Sequence, residues 1–499
     1  MKPLSASEQT QSFWKNGDAD FDITVIGAGI QGAMTYNLLS EQGYKVLLLD
    51  KGDFGGGTSQ SSALSLWGGL LYLRQGELNE VLKLSKARES LKKRHSSWVS
   101  SHDFRYIYPE HSHSRSEILM KAGLFLYWLL SAGKQEIPRR DPFLSHEQFL
   151  QSVRTSFVYQ EAQLVSSDAR FVLDLILAGL STHSCALNYT KLESGNFNSE
   201  KKLWILNICN LRTHMKAQVK SKWVINASGV WSDSVNRTLS LNTPYSHLRS
   251  KGVSISFQRH SEHKETLIFD SNNPAEEGMS LVPWGPVSVW GSTETLVDES
   301  PNEFSPTSDD ITYLINTINQ HLKTPITTSD IISTRTGVRP IPVTKEKTLK
   351  GDPLYFSKKF IIHTDAKHQA LSIYGGKITS ALLIAREIRT FFEKTIPSSR
   401  LSINNEHLTP EYTTRIGYHV PTPEWCRENE YAISIEDYVR RRTNLSQWVP
   451  NGGFGKLNEN EDEIQKTCSA LHANEEDAKK DFINYKQQTI LENTLLRTT

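Results

Sequence analysis

The run Gly27-Ala-Gly-Ile-Gln-Gly32 has the most chemically telling spacing in the chain. Glycine at 27 permits a tight turn, glycine at 29 lets a pyrophosphate approach bare backbone, and glycine at 32 lets a helix pack close to a strand. A helix that starts there aims its unpaired N–H groups, and the positive end of its dipole, at the phosphates. Asp50 follows Gly27 by about 20 positions, where a carboxylate ending the next strand accepts both hydroxyls of a ribose. These residue types at this spacing point to a dinucleotide site.

The elements around the motif suit that chemistry. Asp22-Ile-Thr-Val-Ile26 reads as a short buried strand, a helical pattern runs from the glycines to about Gln42, and Lys45-Val-Leu-Leu-Leu-Asp50 reads as a second strand. Strand, glycine turn, helix and strand form a βαβ unit, whose crossover requires parallel strands in one sheet. Two more strand-to-glycine turns follow far along the chain. Trp223-Val-Ile-Asn-Ala227 leads into Ser228-Gly229, and Ala370-Leu-Ser-Ile-Tyr374 leads into Gly375-Gly376. The fold class is therefore α/β, with one discontinuous Rossmann-like domain expected over 19–95, 156–245 and 351–400. Segment 96–155 reads as a substrate-domain or membrane-facing insert. Ser, Thr and β-branched residues dominate 246–350, in runs such as Gly252 to Gln258 and Pro286 to Thr293, which predicts a largely antiparallel second domain. After breaks at Pro397-Ser-Ser-Arg400 and Pro410, residues 405–499 read as a polar helical cap.

Composition narrows the partner. A chain of 499 residues divides into two or three packed units, and a formal net charge of +1 gives no global reason to bind nucleic acid. A small-molecule substrate is expected, and a homodimer is left open. Four widely spaced cysteines suggest neither a disulfide framework nor a thiolate zinc site, so a reducing cytoplasmic compartment fits best. Met1 to Asp22 is polar, without the apolar stretch of a secretory signal, and the sequons at Asn188, Asn236 and Asn444 read as accidental. No metal is expected from His102, His111, His113, His260 and His263, which lack a supporting carboxylate pattern. The apolar run Ile118 to Ala132 contains Lys121 and falls short of the roughly 20 residues a bilayer span needs. It suits peripheral contact with the inner face of a cytoplasmic membrane. The helix expected between Glu77 and Arg94 interleaves acidic and basic residues, as a solvated face does.

From Asp22 through Leu73 the chain resembles the FAD-dependent glycerol-3-phosphate dehydrogenases, within the wider D-amino-acid-oxidase-like flavoproteins. The resemblance rests on Val25-Ile-Gly-Ala-Gly-Ile-Gln-Gly-Ala33, Gly57-Thr-Ser59 and Gly68-Gly-Leu-Leu-Tyr-Leu73. It continues in the family's order through Gly123-Leu-Phe-Leu-Tyr127, Asp168-Ala-Arg170, Val224-Ile-Asn-Ala-Ser-Gly229 and Arg249-Ser-Lys-Gly252. Gly337-Val-Arg-Pro340, Gly375-Gly-Lys-Ile-Thr379 and Tyr438-Val-Arg-Arg-Arg-Thr443 complete it. The resemblance implies extended FAD, with Gly27, Gly29 and Gly32 at the pyrophosphate, Asp50 at the adenosine ribose, and Thr58 and Ser59 beside the phosphates or flavin. Ala227 and Gly229 would lie near the adenosine end. Gly375, Gly376, Lys377 and Thr379 would open a helix toward the flavin edge that gains negative charge on reduction.

Four positions depart from the family pattern. Trp67 replaces a His before Gly-Gly, Leu71 an Arg, Leu64 a Lys, and Ser254 the His of a Lys-Gly-Ser-His run. Losing a guanidinium removes charge-assisted hydrogen bonds of about 1.5 to 3 kcal/mol each. Arg339 and Lys377 match substrate-facing positions, and Tyr72 keeps an aromatic hydroxyl. Arg335 stands where the pattern has Tyr and Arg74 follows Leu71 by three. Arg335 is the expected compensating cation, against the equal alternative of a structural ion pair. The implied reaction transfers hydride from glycerol 3-phosphate to flavin N5, giving dihydroxyacetone phosphate, with an acceptor such as quinone taking the electrons. With histidine absent at 67 and 254, a desolvated Lys377 is the candidate base. Two alternatives stand beside this reading: a dehydrogenase or oxidase of another small hydroxy or amino compound, and an FAD-binding protein with a non-catalytic role.

Overall fold

The computed structural model of the chain describes residues 5–16, 19–74, 76–109, 117–131, 133–141, 149–151, 153–181, 183–269, 278–297, 305–345, 359–397 and 409–497. The side chains of residues 16, 71, 74, 109, 493 and 495–497 are outside that description, as are His111 and His113 entirely.

The expected βαβ unit is present. Strand Ala19–Ile26 leads through the glycine turn into helix Ile30–Glu41 and strand Val46–Leu49, and the two strands pair in parallel with Thr24 opposite Leu47. Val46-Leu-Leu-Leu49 is buried along its whole length, as a strand covered on both faces requires. An eight-stranded sheet grows around this pair. Its main order is Ile361–Asp365, Ala370–Tyr374, Lys216–Asn226, Ala19–Ile26, Val46–Leu49, Cys185–Leu187. The three strands that end in glycine turns are thus neighbours, with Val224 opposite both Thr24 and Ala370. Helices Ile30–Glu41, Asp168–Gly179 and Ile378–Thr395 cover one face, contributing Met34, Leu38, Phe171, Ile176, Leu382 and Ile388 to the core. The other face receives Phe13 and Trp14 from helix Ala6–Asn16, so part of the polar leader is docked structure.

A second, ten-stranded sheet contains Tyr245–Gln258, Val287–Gly291, Met279–Trp284, Thr266–Phe269 and Ile331–Thr344. Its pairings are antiparallel except that Thr266–Phe269 runs parallel to Val99–Pro109. Helix Ser308–Asn319 buries Ile311, Leu314 and Ile318 against it.

The expected boundary between 155 and 156 does not exist. It falls inside strand Val153–Leu164, which pairs with Val99–Pro109 from Val99 opposite Leu164 to Pro109 opposite Val153. Strand Val99–Pro109, before that boundary, and strand Val153–Leu164, across it, therefore both belong to the second sheet. The physical reason is pairing: a strand edge is satisfied by whichever partner offers register, irrespective of chain order.

The C-terminal region packs helices Pro423–Asn429, Leu445–Trp448, Glu461–Leu471 and Glu475–Arg497 around Tyr438, Phe454, Ile464 and Tyr485. It also holds one antiparallel pair, Tyr412–Arg415 with Tyr418–Pro421, and a π-helical turn at Asp437–Arg442. Asn188, Asn236 and Asn444 are all buried, so none offers a glycan acceptor in the folded chain. The four cysteines are free.

Candidate active site

The glycine turns converge on a cavity of about 1150 Å³ between the two sheets. Gly27 has φ +101°, and a Cβ there would sit 2.6 Å from the Ser228 Cα. A Cβ on Gly32 would lie 1.8 Å from the Gly27 carbonyl oxygen, so helix Ile30–Glu41 can start here only with hydrogen at 32. Gly29 meets only the Ser59 hydroxyl, at 3.1 Å, and keeps the backbone open to the cavity. Ser59 Oγ accepts the Ile30 N–H at 2.9 Å, while the Thr58 hydroxyl donates to the Val338 carbonyl. Thr58 and Ser59 therefore tie the 50–61 loop to both the first helix and the second sheet.

Asp50 closes the far end. Its Oδ2 accepts the Ala28 N–H at 2.7 Å and its Oδ1 the Gly52 N–H at 2.9 Å. Burial pushes the carboxyl up to about 6, against the opposite pull of those two amides. Each oxygen keeps a lone pair for a ribose hydroxyl. Ala227, Gly229 and Trp231 line the wall beside the first turn.

At the other end, Gly375 (φ +70°) and Gly376 (φ +96°) lead into helix Ile378–Thr395 with Lys377 at its N-cap. Gly376 faces Gln31, whose Nε2 donates to the Lys377 carbonyl. The helix therefore presents its N-terminus to the cavity through Gly376, Lys377, Ile378 and Thr379. The Lys377 ammonium lies 4.8 Å over the Tyr72 ring, a cation–π contact. Tyr72 itself is buried behind Lys377. Arg339 lines the cavity, donates to Ser292 Oγ at 2.8 Å, and pairs with Glu294 at 3.2 Å.

One expected site residue is placed differently. Arg335 is buried, its Nη2 donating to Asp168 Oδ2 at 2.8 Å and to the Ser62 carbonyl at 3.2 Å, with its guanidinium 4.7 Å over the Trp284 ring. Its charge is neutralised inside the protein, so it does not compensate for the lost cations; the ion-pair alternative holds. The side chains of Leu71 and Arg74 lie outside the description. Trp67 and Ser254 both line the cavity, and Leu64 is buried with Val282 and Trp284.

Two residues escaped the sequence reading. Arg249 lines the cavity with its Nε buried and without a hydrogen-bond partner among the described residues. Its only signal in the sequence is its place in the family-like run Arg249-Ser-Lys-Gly252. His247 accepts the Gly375 N–H through Nε2 at 3.3 Å, and its Nδ1 lies 3.8 Å from Asp233. It backs the second glycine turn, and among the described residues no histidine lines the cavity itself.

The residues fit FAD by three features: the bare glycine cradle, the carboxylate at 50, and two helix N-termini, at Ile30 and Ile378, in the lining of one cavity. Comparison with known proteins agrees. The family model described as DAO, FAD dependent oxidoreductase, matches residues 22–389. An aerobic glycerol-3-phosphate dehydrogenase of Staphylococcus epidermidis is 28% identical over 392 residues, covering 76% of this chain and 68% of the relative. One of the same name from Staphylococcus aureus is 26% identical over 389 residues, with the same coverage. The glycerol-3-phosphate dehydrogenase from Bacillus halodurans complexed with FAD shares the fold at a TM-score of 0.70 and 16% identity, over 98% of both chains. The L-alpha-glycerophosphate oxidase from Mycoplasma pneumoniae with FAD bound has a TM-score of 0.58 at 13% identity, over 78% of this chain and 99% of that one. The glycine cradle and the match across most of the chain place this protein in the DAO family of FAD-dependent oxidoreductases.

Proposed function

We propose that the chain oxidises a small polyol phosphate of the sn-glycerol 3-phosphate type to the corresponding ketone and passes the electrons to a quinone-like acceptor. The observation that carries this reading is that Arg249, Arg339 and Lys377 are among the cations lining the cavity that also holds Gly375 and Gly376. Relatives named glycerol-3-phosphate dehydrogenase support it. Arg339 is held by Ser292 and Glu294, so its guanidinium is fixed in direction before an anion arrives. Lys377 adds a point charge braced by Tyr72. FAD, when bound, supplies the hydride acceptor. The helix N-terminus at 376–379 stabilises negative charge that develops nearby. Trp67 excludes water from one wall, its ring packed edge-on to Phe104 at 5.3 Å.

A second reading has its own observation. Trp67 and Ser254 stand in the cavity lining, and Glu294 offsets the charge of Arg339, so less net positive charge is left for a dianion. A smaller hydroxy or amino acid, whose single carboxylate needs one guanidinium, suits that arrangement. Dye-linked turnover of the purified holoprotein with glycerol 3-phosphate, glycerol and a panel of amino acids separates the two. Turnover confined to the phosphate ester is the expected result, and turnover confined to amino acids would reverse the order of the readings.

The chain is proposed to work at the inner face of a membrane. Among the described residues no helix is long and apolar enough to cross one. Helix Glu117–Leu130 nevertheless exposes Ile118, Leu119, Phe125 and Leu129, and the half-exposed guanidiniums of Arg140 and Arg154 pair with Glu117 at its start. An apolar face rimmed by cations suits an anionic lipid surface.

A further inference from the structure

The 50–61 loop carries Asp50, Thr58 and Ser59, yet the βαβ unit does not hold it alone. A turn almost 400 residues later grips it. Arg441 donates from Nε to Asp53 Oδ2 at 2.5 Å and from Nη1 to Gln60 Oε1 at 3.1 Å. Arg442 forks onto both oxygens of Asp53, with one contact at 2.9 Å. Arg440 donates to the Gln60 carbonyl at 3.0 Å, and Gln60 Nε2 returns to the Gly56 carbonyl at 2.6 Å. Tyr189, which lines the cavity on the far side, donates to Asp437 at 2.6 Å.

The chemistry of this contact is that of a clamp. Asp53, Asp437, Arg441 and Arg442 are all buried, and one carboxylate bridges two guanidiniums. Burial alone would raise Asp53, but Arg442 and Arg441 hold it well down. Arg441 lines the cavity, yet its remaining Nη1 and Nη2 contacts go to Glu436 and Asp437. Most of its N–H donors are therefore engaged within the protein, and it acts on the cofactor site through the loop. The segment that supplies these groups is the π-helical turn Asp437–Arg442, whose wider winding brings three consecutive arginines toward one loop.

We propose that the C-terminal domain is the latch of the cofactor loop: docking of the Asp437–Arg442 turn on Asp53 and Gln60 fixes residues 50–61, so FAD binding and C-terminal docking are mutually dependent. Linkage then requires that each strengthens the other by the same factor. Arg441 and Gln60 are positioning residues. The inference is independent of which substrate the protein oxidises, because every readout concerns FAD and the latch.

The test has two arms. In the first, apoprotein of the full chain is titrated with FAD in wild type, Arg441→Met and Gln60→Ala. Both variants are expected to raise the FAD dissociation constant roughly tenfold. Gln60→Ala strands no buried charge, so it remains informative where Arg441→Met disturbs folding. In the second, amide hydrogen exchange over 437–442 is measured with and without FAD. Exchange is expected to slow by a comparable factor on adding FAD in wild type, and to respond far less in Gln60→Ala. If Gln60 acted by cofactor contact alone, exchange at 437–442 would respond to saturating FAD in Gln60→Ala as it does in wild type; loss of that response marks the lost contact between Arg441 and Gln60 Oε1. Unchanged affinity in Gln60→Ala, or exchange at 437–442 that ignores FAD, overturns the proposal.

Discussion

At the level of single residues, Asp50 sets a pH dependence whose sign follows from its surroundings. Its carboxyl stands at about 6 because burial outweighs the amides of Ala28 and Gly52. Above that pH the ionised group accepts from both amides and from ribose hydroxyls; below it, a proton occupies one acceptor position. FAD affinity should therefore fall as pH drops through about 6, by at most about tenfold per pH unit. Fluorescence titration of the apoprotein at several pH values checks this, and Asp50→Asn should flatten the profile. Apoprotein stability has the opposite trend from this group: a carboxyl raised in the folded state makes stability decline as pH rises from about 4 through about 6. Gly32→Ala should prevent cofactor retention and destabilise the fold by about 3 kcal/mol or more. Its Cβ would meet the Gly27 oxygen at 1.8 Å, and thermal unfolding with the visible colour of the purified protein reads the outcome. These positions were legible in sequence because backbone geometry fixes both residue type and spacing. Arg335 was not, since its partner Asp168 is 167 positions away and nothing in the local run names it.

Among the elements, the turn that carries Trp67 into the cavity rests on a buried ion pair. Glu161 on strand Val153–Leu164 accepts the Gly68 N–H at 3.2 Å and pairs with Arg88 of helix Leu78–Arg94. Tyr127 of helix Glu117–Leu130 accepts from Arg88 Nη1 at 2.8 Å and donates to Glu161. Arg88 and Glu161 are fully buried, so Arg88→Met leaves an uncompensated carboxylate and should destabilise by about 3 to 5 kcal/mol. The double variant Arg88→Met with Glu161→Leu should be less destabilised than Arg88→Met alone, which denaturant unfolding measures. The helix over 77–94 reads from sequence as a solvated face, and most of its charges are. Arg88 is the exception, and only the arrival of strand Val153–Leu164 makes it so. The same strand upset the expected domain boundary at 155, because its partner Val99–Pro109 is found by tertiary pairing rather than by any local signal. Strands that end in glycine turns were legible for the contrary reason: their chemistry is contained within a few residues.

For the whole molecule, two sheets enclose a cofactor cavity, a C-terminal domain grips its loop, and one helix turns an apolar face outward. Phe125→Ser with Leu129→Ser should reduce co-flotation with anionic liposomes several-fold while leaving FAD content unchanged, since both side chains are exposed and line no part of the cavity. Equal flotation of wild type and variant would remove the membrane proposal. The overall reading depends on an anionic substrate meeting bound FAD at Arg339 and Lys377. Anaerobic mixing of the yellow holoprotein with sn-glycerol 3-phosphate tests that most directly. Bleaching of the visible flavin band is expected in wild type, with the concentration for half-bleaching raised about tenfold or more in Arg339→Met. A flavin that stays oxidised with glycerol 3-phosphate, yet bleaches with an unphosphorylated hydroxy or amino acid, would contradict it.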